Sequence, residues 1–245
     1  PPPPLFFFKL MTAYAMLRSL VGSEMCIRDR DNPISISSWR VEHYTITSTE
    51  SGLGTVVHEM LHQMGALDLY DVHGDLPTRE WNGIGDWGIM ASGNWNDAGS
   101  SPALPTASTI TLIDPDRVFL EIDPSLEETY EIEPFSSSGQ IASIRVSSTE
   151  YLWMTFRDGS GFDAGLPGNG LLVEYQDLAN GDPDDNMLNS DPFFPWSYIV
   201  EADGDDALFL NDDSGSSTDV TKNVYSKSNE SNNKDNNYEE CLSCQ

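Results

Sequence analysis

Residues 58–68 read His58-Glu59-Met60-Leu61-His62-Gln63-Met64-Gly65-Ala66-Leu67-Asp68, a pattern H-E-x-x-H-x-x-G-x-x-D. Four residues turn an α-helix by about 400°, so His58 and His62 lie on one face. Neutral imidazoles at that spacing reach one zinc ion, and Glu59 projects beside it, where it takes a proton from water at the metal. Gly65 allows the helix to stop and the chain to turn back, which brings Asp68 round as a third ligand. Three protein ligands leave one position open, which marks a catalytic rather than a structural site. The plain alternative is a surface helix carrying two unrelated histidines. It fits poorly with a chain that has 4 histidines in 245 residues, two of them here. His43 and His73 have no partner at ligand spacing and read as ordinary strand and loop residues.

Further along stands Gly85-Asp86-Trp87-Gly88-Ile89-Met90-Ala91-Ser92-Gly93. With this segment the chain resembles the metzincin clan, and within it the immune inhibitor A-like secreted metallopeptidases. Residues 58–71 (HEMLHQMGALDLYD) are similar to that family's zinc helix and following loop, and residues 85–95 to its Met-turn segment. Residues 161–177 and 200–204 are similar to later family segments, so the resemblance runs over roughly 31–215. It implies that His58, His62 and Asp68 bind zinc, that Glu59 is the general base, and that Met90 lies beneath the metal. Some metzincins place a tyrosine two residues after the turn methionine. Here that residue is Ser92, so no tyrosine stabiliser is assigned, and Tyr70 is a weak substitute. Glu80 stands at a distance that suits a thermolysin-like third ligand and stays open as the alternative to Asp68. Asp68 is preferred because Gly65 makes sense only if the helix ends there.

Residues 1–30 resemble a translated sequencing adapter, through the string Leu20-Val21-Gly22-Ser23-Glu24-Met25-Cys26-Ile27-Arg28-Asp29-Arg30. They are set aside from the fold reading, as targeting or processing segments are. A signal peptide is the competing reading, since residues 5–20 are apolar, but a basic leading region and a clean cleavage site are lacking. On this reading the true amino terminus is missing and the upper half of the protease precedes the sequence in hand.

The chain carries 12 Lys+Arg and 40 Asp+Glu, a formal net charge of −28. Without residues 1–30, which hold Lys9, Arg18, Arg28, Arg30, Glu24 and Asp29, the balance is 8 basic to 38 acidic. Such charge repels nucleic acid and anionic membranes, and no apolar run is long enough to span a bilayer. It suits a secreted protein acting on a protein or peptide substrate. Cys241 and Cys244 form a lone C-x-x-C without the surroundings of a redox or zinc motif, and Cys26 lies in the excluded stretch.

The resulting expectation is an α+β fold: the C-terminal part of a metzincin-like zinc protease, with its zinc helix and loop-rich lower subdomain, then a β-rich region. Residues 31–105 form the zinc-binding part, 106–221 a β-rich continuation, and 222–245 a polar low-complexity tail. Residues 39–48 read as a strand that receives extended substrate by strand addition, and about 54–64 as the helix. Trp81, Trp87 and Trp95 read as core. Short strands are predicted at 110–113, 117–122, 129–132, 141–146, 151–156 and 170–175. The carboxylates of 177–219 suit calcium, with Asp182, Asp184, Asp203 and Asp205, and Asp71 near the zinc loop, as candidate ligands. The function that follows is a secreted zinc endopeptidase. The alternatives are a catalytically silent, calcium-stabilised extracellular binding module on a protease fold, or an inactive fragment of an active parent.

Overall fold

The computed structural model describes residues 51–72, 81, 83–202 and 208–209, together with the backbone of short strands at 8–11, 34–36, 39–41 and 45–48. Helix α1, Leu53–Met64, buries Gly54, Thr55, His58, Glu59, Leu61 and His62 and exposes Leu53, Met60 and Met64. The buried positions recur at three- and four-residue steps, which makes one inward face. Gly54 lets that face approach its neighbour closely. A Cβ there would lie 1.8 Å from the Asn94 carbonyl oxygen, in the 3-10 segment Ser92–Gly99.

The helix ends by a backbone device. Gly65 adopts φ +105°, ψ 4°, in the left-handed region. Its N–H bonds the His62 carbonyl at 3.1 Å, and the Ala66 N–H reaches back to Leu61 O at 3.0 Å. This is the pair of bonds of a Schellman cap. The reversal sends residues 66–69 back alongside the helix, where the Leu69 N–H donates to Met90 O at 2.8 Å.

The fold is α+β, and its main sheet has five strands in the order β5-β6-β7-β8-β9. These are β5 (Leu120–Glu121), β6 (Ala142–Arg145), β7 (Glu150–Arg157), β8 (Gly170–Asp177) and β9 (Ser197–Ile199). β5 joins β6 in parallel and the other pairs are antiparallel, with β7 and β8 matched along their whole length from Glu150↔Asp177 to Arg157↔Gly170. Strands 141–146, 151–156 and 170–175 thus appear close to their expected places. Segment 117–122 is reduced to the two residues of β5, and 129–132 forms no strand.

Residues 110–113 are not a strand. They belong to helix α2, Ala107–Ile113, capped by the Thr106 hydroxyl, which accepts from the Thr109 N–H. The β-branched Thr109, Ile110, Thr111 and Ile113 argue locally for a strand. What overrides them is the buried face of β8, where Leu172, Glu174 and Gln176 point inward. The Ser108 N–H and hydroxyl both donate to the Glu174 carboxylate, and Gln176 donates to Thr111 Oγ1 at 3.4 Å. Helical spacing puts Ser108 and Thr111 on one side, so the helix satisfies two buried polar groups of the sheet. A short helix α3, Phe135–Ser138, follows. Behind it Arg157 is fully buried, held by Asp163 at 3.1 Å and the Pro105 carbonyl at 3.1 Å, over the Phe135 ring.

Within 39–48 the described strands are β3 (Trp39–Val41), paired antiparallel with β2 (Ile34–Ile36), and β4 (Thr45–Ser48), paired parallel with β1 (Phe8–Met11). A strand from the first thirty residues therefore lies beside the one expected to receive substrate.

One hydrophobic cluster joins Leu61 of α1, the return residues Ala66, Leu67 and Leu69, the turn residues Trp87, Ile89 and Met90, and Leu172, Leu188, Trp196 and Ile199 from the sheet and its loop. Trp81 and Trp87 are buried as expected, but Trp95 is 60% exposed and is no part of that core.

Candidate metal centre

Three side chains from the opening motif meet at one point. His58 Nε2 and His62 Nε2 are 3.2 Å apart, and Asp68 Oδ1 lies 3.2 Å from the first and 3.3 Å from the second. The rings stand edge to face at 85°, as i, i+4 side chains on one helix face do when both tips aim at a common centre. All three residues are buried, Asp68 completely.

The hydrogen bonds behind the rings fix their chemistry. His58 Nδ1 donates to the Ile89 carbonyl at 2.8 Å, and His62 Nδ1 donates to the Ala66 carbonyl at 2.9 Å. A carbonyl only accepts, so each neutral imidazole carries its proton on Nδ1 and turns a bare lone pair inward from Nε2. Asp68 Oδ1, also buried, receives no hydrogen bond. Three lone-pair donors thus converge with no donor between them, an arrangement that a cation resolves. Among the described residues, His58, His62 and Asp68 are the only group of three or more His, Cys, Asp or Glu side chains able to hold a metal ion.

The electrostatics of the metal-free chain agree with this geometry. Burial by itself would lower the His62 imidazole. The Asp68 carboxylate, the Ala66 carbonyl and the charge of Glu59 outweigh it and raise the imidazole above its ordinary value. Burial likewise would raise Asp68, but the two imidazoles hold its carboxyl far below the usual range.

Each part of the motif has a place in this arrangement. The Gly65 reversal presents the Ala66 carbonyl to His62 and swings Asp68 to the centre. Glu59 is buried on the same helix, near enough for its charge to act on His62. Met90 is fully buried, its carbonyl tied to Leu69 N–H one residue beyond Asp68, and its neighbour Ile89 orients His58. Glu80, Asp203 and Asp205 lie outside the described residues, as do His43 and His73.

Among the described residues, the carboxylates considered for calcium, Asp71, Asp182 and Asp184, form no metal-like group. Asp182 and Asp184 are exposed, and Asp182 Oδ1 accepts the backbone N–H groups of Asp184 and Asp185 at 3.0 and 3.3 Å. Asp71 joins no metal-like group among the described residues. The loop instead supplies two residues that sequence reasoning missed. Asn186 Nδ2 donates to Asp68 Oδ2 at 2.6 Å, and the Asp68 N–H donates to Asn186 Oδ1 at 2.9 Å. Asn189 Nδ2 donates to the Leu69 carbonyl at 2.9 Å. Both lie some 120 positions along the chain from their partners, and no local spacing signals such a contact.

A helix presenting two inward imidazoles, with a carboxylate returned to them by a glycine cap, is an arrangement that metallopeptidases use. Residues 19–109 match the family described as immune inhibitor A peptidase M6, catalytic domain. Over that stretch the chain is similar to an immune inhibitor A-like metallopeptidase. The matched range contains α1, its return and the Met90 turn, and it begins within the first thirty residues. No curated protein matches the chain.

Proposed function

We propose that this chain is a zinc-dependent endopeptidase, secreted, in which Glu59 handles the proton and Asp68 is the third ligand. The observation that carries the reading is the triangle of donors. Zinc bonds of about 2.0–2.1 Å in a tetrahedron require ligand atoms about 3.3–3.4 Å apart. The three edges here are 3.2, 3.2 and 3.3 Å. Two imidazoles and one carboxylate are donors that zinc accepts, and no fourth His, Cys, Asp or Glu side chain among the described residues joins the group. The buried, unpartnered Oδ1 supports the same reading.

Zinc in this place would polarise both a water molecule and the scissile carbonyl. His58 and His62 keep their Nε2 lone pairs directed at the centre because the Ile89 and Ala66 carbonyls hold the opposite nitrogens. Glu59 accepts the proton of the attacking water and delivers it to the leaving amine. The core cluster beneath α1 keeps these groups in register through the reaction. The strongly acidic composition and the peptidase match support a protein or peptide substrate met outside the cell. Among the described residues no helix is long and apolar enough to cross a membrane.

The test is Glu59→Gln, which keeps shape and removes the base. Casein cleavage falls by about 10²- to 10⁴-fold, while bound zinc, measured by elemental analysis, stays at one per chain. A variant that cleaves at the parent rate, or a parent indifferent to chelation, overturns the reading.

A further inference from the structure

We propose that Asn186 is the positioning residue that presents Asp68 to the metal through a single oxygen, an inference that rests on the zinc reading above. A carboxylate has two oxygens and rotates about its last bond, so by itself it can approach a cation through one or both. Asn186 removes that freedom. Its amide nitrogen holds Oδ2 at 2.6 Å, and its amide oxygen holds the backbone N–H of the same aspartate at 2.9 Å. Backbone and side chain of Asp68 are thus gripped by one planar group. Only Oδ1 remains, buried and unbonded, facing both imidazoles. Binding through one oxygen preserves the tetrahedral vacancy that a catalytic site needs, whereas a two-oxygen grip would crowd it.

The loop around Asn186 is built to hold it there. Asp182 and Met187 exchange two backbone bonds, 3.0 Å and 2.8 Å, which close the loop at its base. Asp182 Oδ1 fastens the turn inside it. Asn186 takes φ +57°, a left-handed conformation that asparagine adopts more readily than most residues. Two residues after it, Leu188 is buried in the core cluster. Asn189 then bonds the Leu69 carbonyl, and its own oxygen accepts the N–H groups of Trp196 and Ser197 at 3.0 Å. The loop is therefore fixed on both sides of Asn186. The acidic stretch that reads in sequence as a calcium site serves here to deliver an amide to the metal centre.

Cobalt(II), which reports tetrahedral coordination by its visible absorption, provides the probe for the full chain. Asn186→Gly keeps the left-handed backbone and deletes the grip. Asn186→Asp keeps the shape but replaces the donor with an oxygen that repels Oδ2. Both variants weaken cobalt binding by about 10- to 100-fold, with the metal-free melting temperature close to that of the parent. In the parent, the Asn186 side-chain amide resonances shift when cobalt is replaced by zinc or withdrawn. Cobalt affinity within twofold of the parent in either variant, whatever happens to stability, marks a structural prop and overturns the inference, as does an Asn186 amide signal indifferent to metal. A parent that takes up no tetrahedral cobalt overturns the zinc reading itself, and the inference falls with it.

Discussion

Gly65 governs the centre without touching it. Its left-handed conformation costs an L-residue about 1–2 kcal/mol, and both the Ala66 carbonyl that orients His62 and the path to Asp68 follow from it. Gly65→Ala therefore loses about 1–2 kcal/mol of folding stability, measured by denaturant unfolding with chelator present. Its cobalt affinity falls as well, because the strain is relieved by shifting the return. A variant with unchanged affinity would show that the return is held from Asn186 and Met90 alone. The three donors are legible in sequence because helical periodicity and one glycine place them. Asn186 is not, because its contact with Asp68 is made by a loop 118 positions away, and side-chain chemistry alone does not distinguish it from its asparagine neighbours.

The segment 107–113 shows how an element's neighbours decide its form. Its composition favours a strand, and the inward carboxylate of Glu174 on β8 makes it a helix by demanding the donors of Ser108. Burial pushes the Glu174 carboxyl above its ordinary range, although the Ser108 and Ser197 hydroxyls and the Ser108 N–H pull it down. A raised acid holds its proton more tightly in the folded chain than in the unfolded one. Its charge therefore costs stability at pH above the folded value, and the cost vanishes below the unfolded value of about 4.3. Glu174→Gln removes the charge at every pH. Relative to the parent, its melting temperature is higher at pH 8 than the same comparison gives at pH 4, with chelator in both samples. A difference independent of pH would mean that the Glu174 carboxyl binds its proton no more tightly in the folded chain than in the unfolded one. Of the strands that read correctly, β7 and β8 alternate between buried and half-buried positions, and β6 begins with two buried residues. Segment 129–132, equally rich in suitable residues, lies exposed or half-buried and pairs with nothing among the described strands.

Across the molecule, one core unites α1, the Met90 turn and the loop after β8, so the candidate metal centre and the sheet share their packing. A cation that joins His58, His62 and Asp68 ties two neighbouring turns of the chain, and the Asn186 loop with them. Because the ion binds the folded state, zinc at about 1,000 times its dissociation constant adds about 4 kcal/mol of stability. Calorimetry with and without chelator reads this as a rise in melting temperature that Asp68→Ala abolishes. A melting temperature indifferent to zinc would place the ion elsewhere or nowhere.

The spacing of two histidines, a glycine and an aspartate determined by itself the chemistry available here, because a helix repeats every 3.6 residues and only a reversal at Gly65 returns the carboxylate. Tertiary structure alone decided which oxygen of Asp68 faces the imidazoles, which nitrogen of each ring is bare, and that residues 107–113 coil rather than extend. Those outcomes depend on carbonyls, amides and carboxylates brought together from distant segments, and buried polar groups take whatever partners the fold supplies.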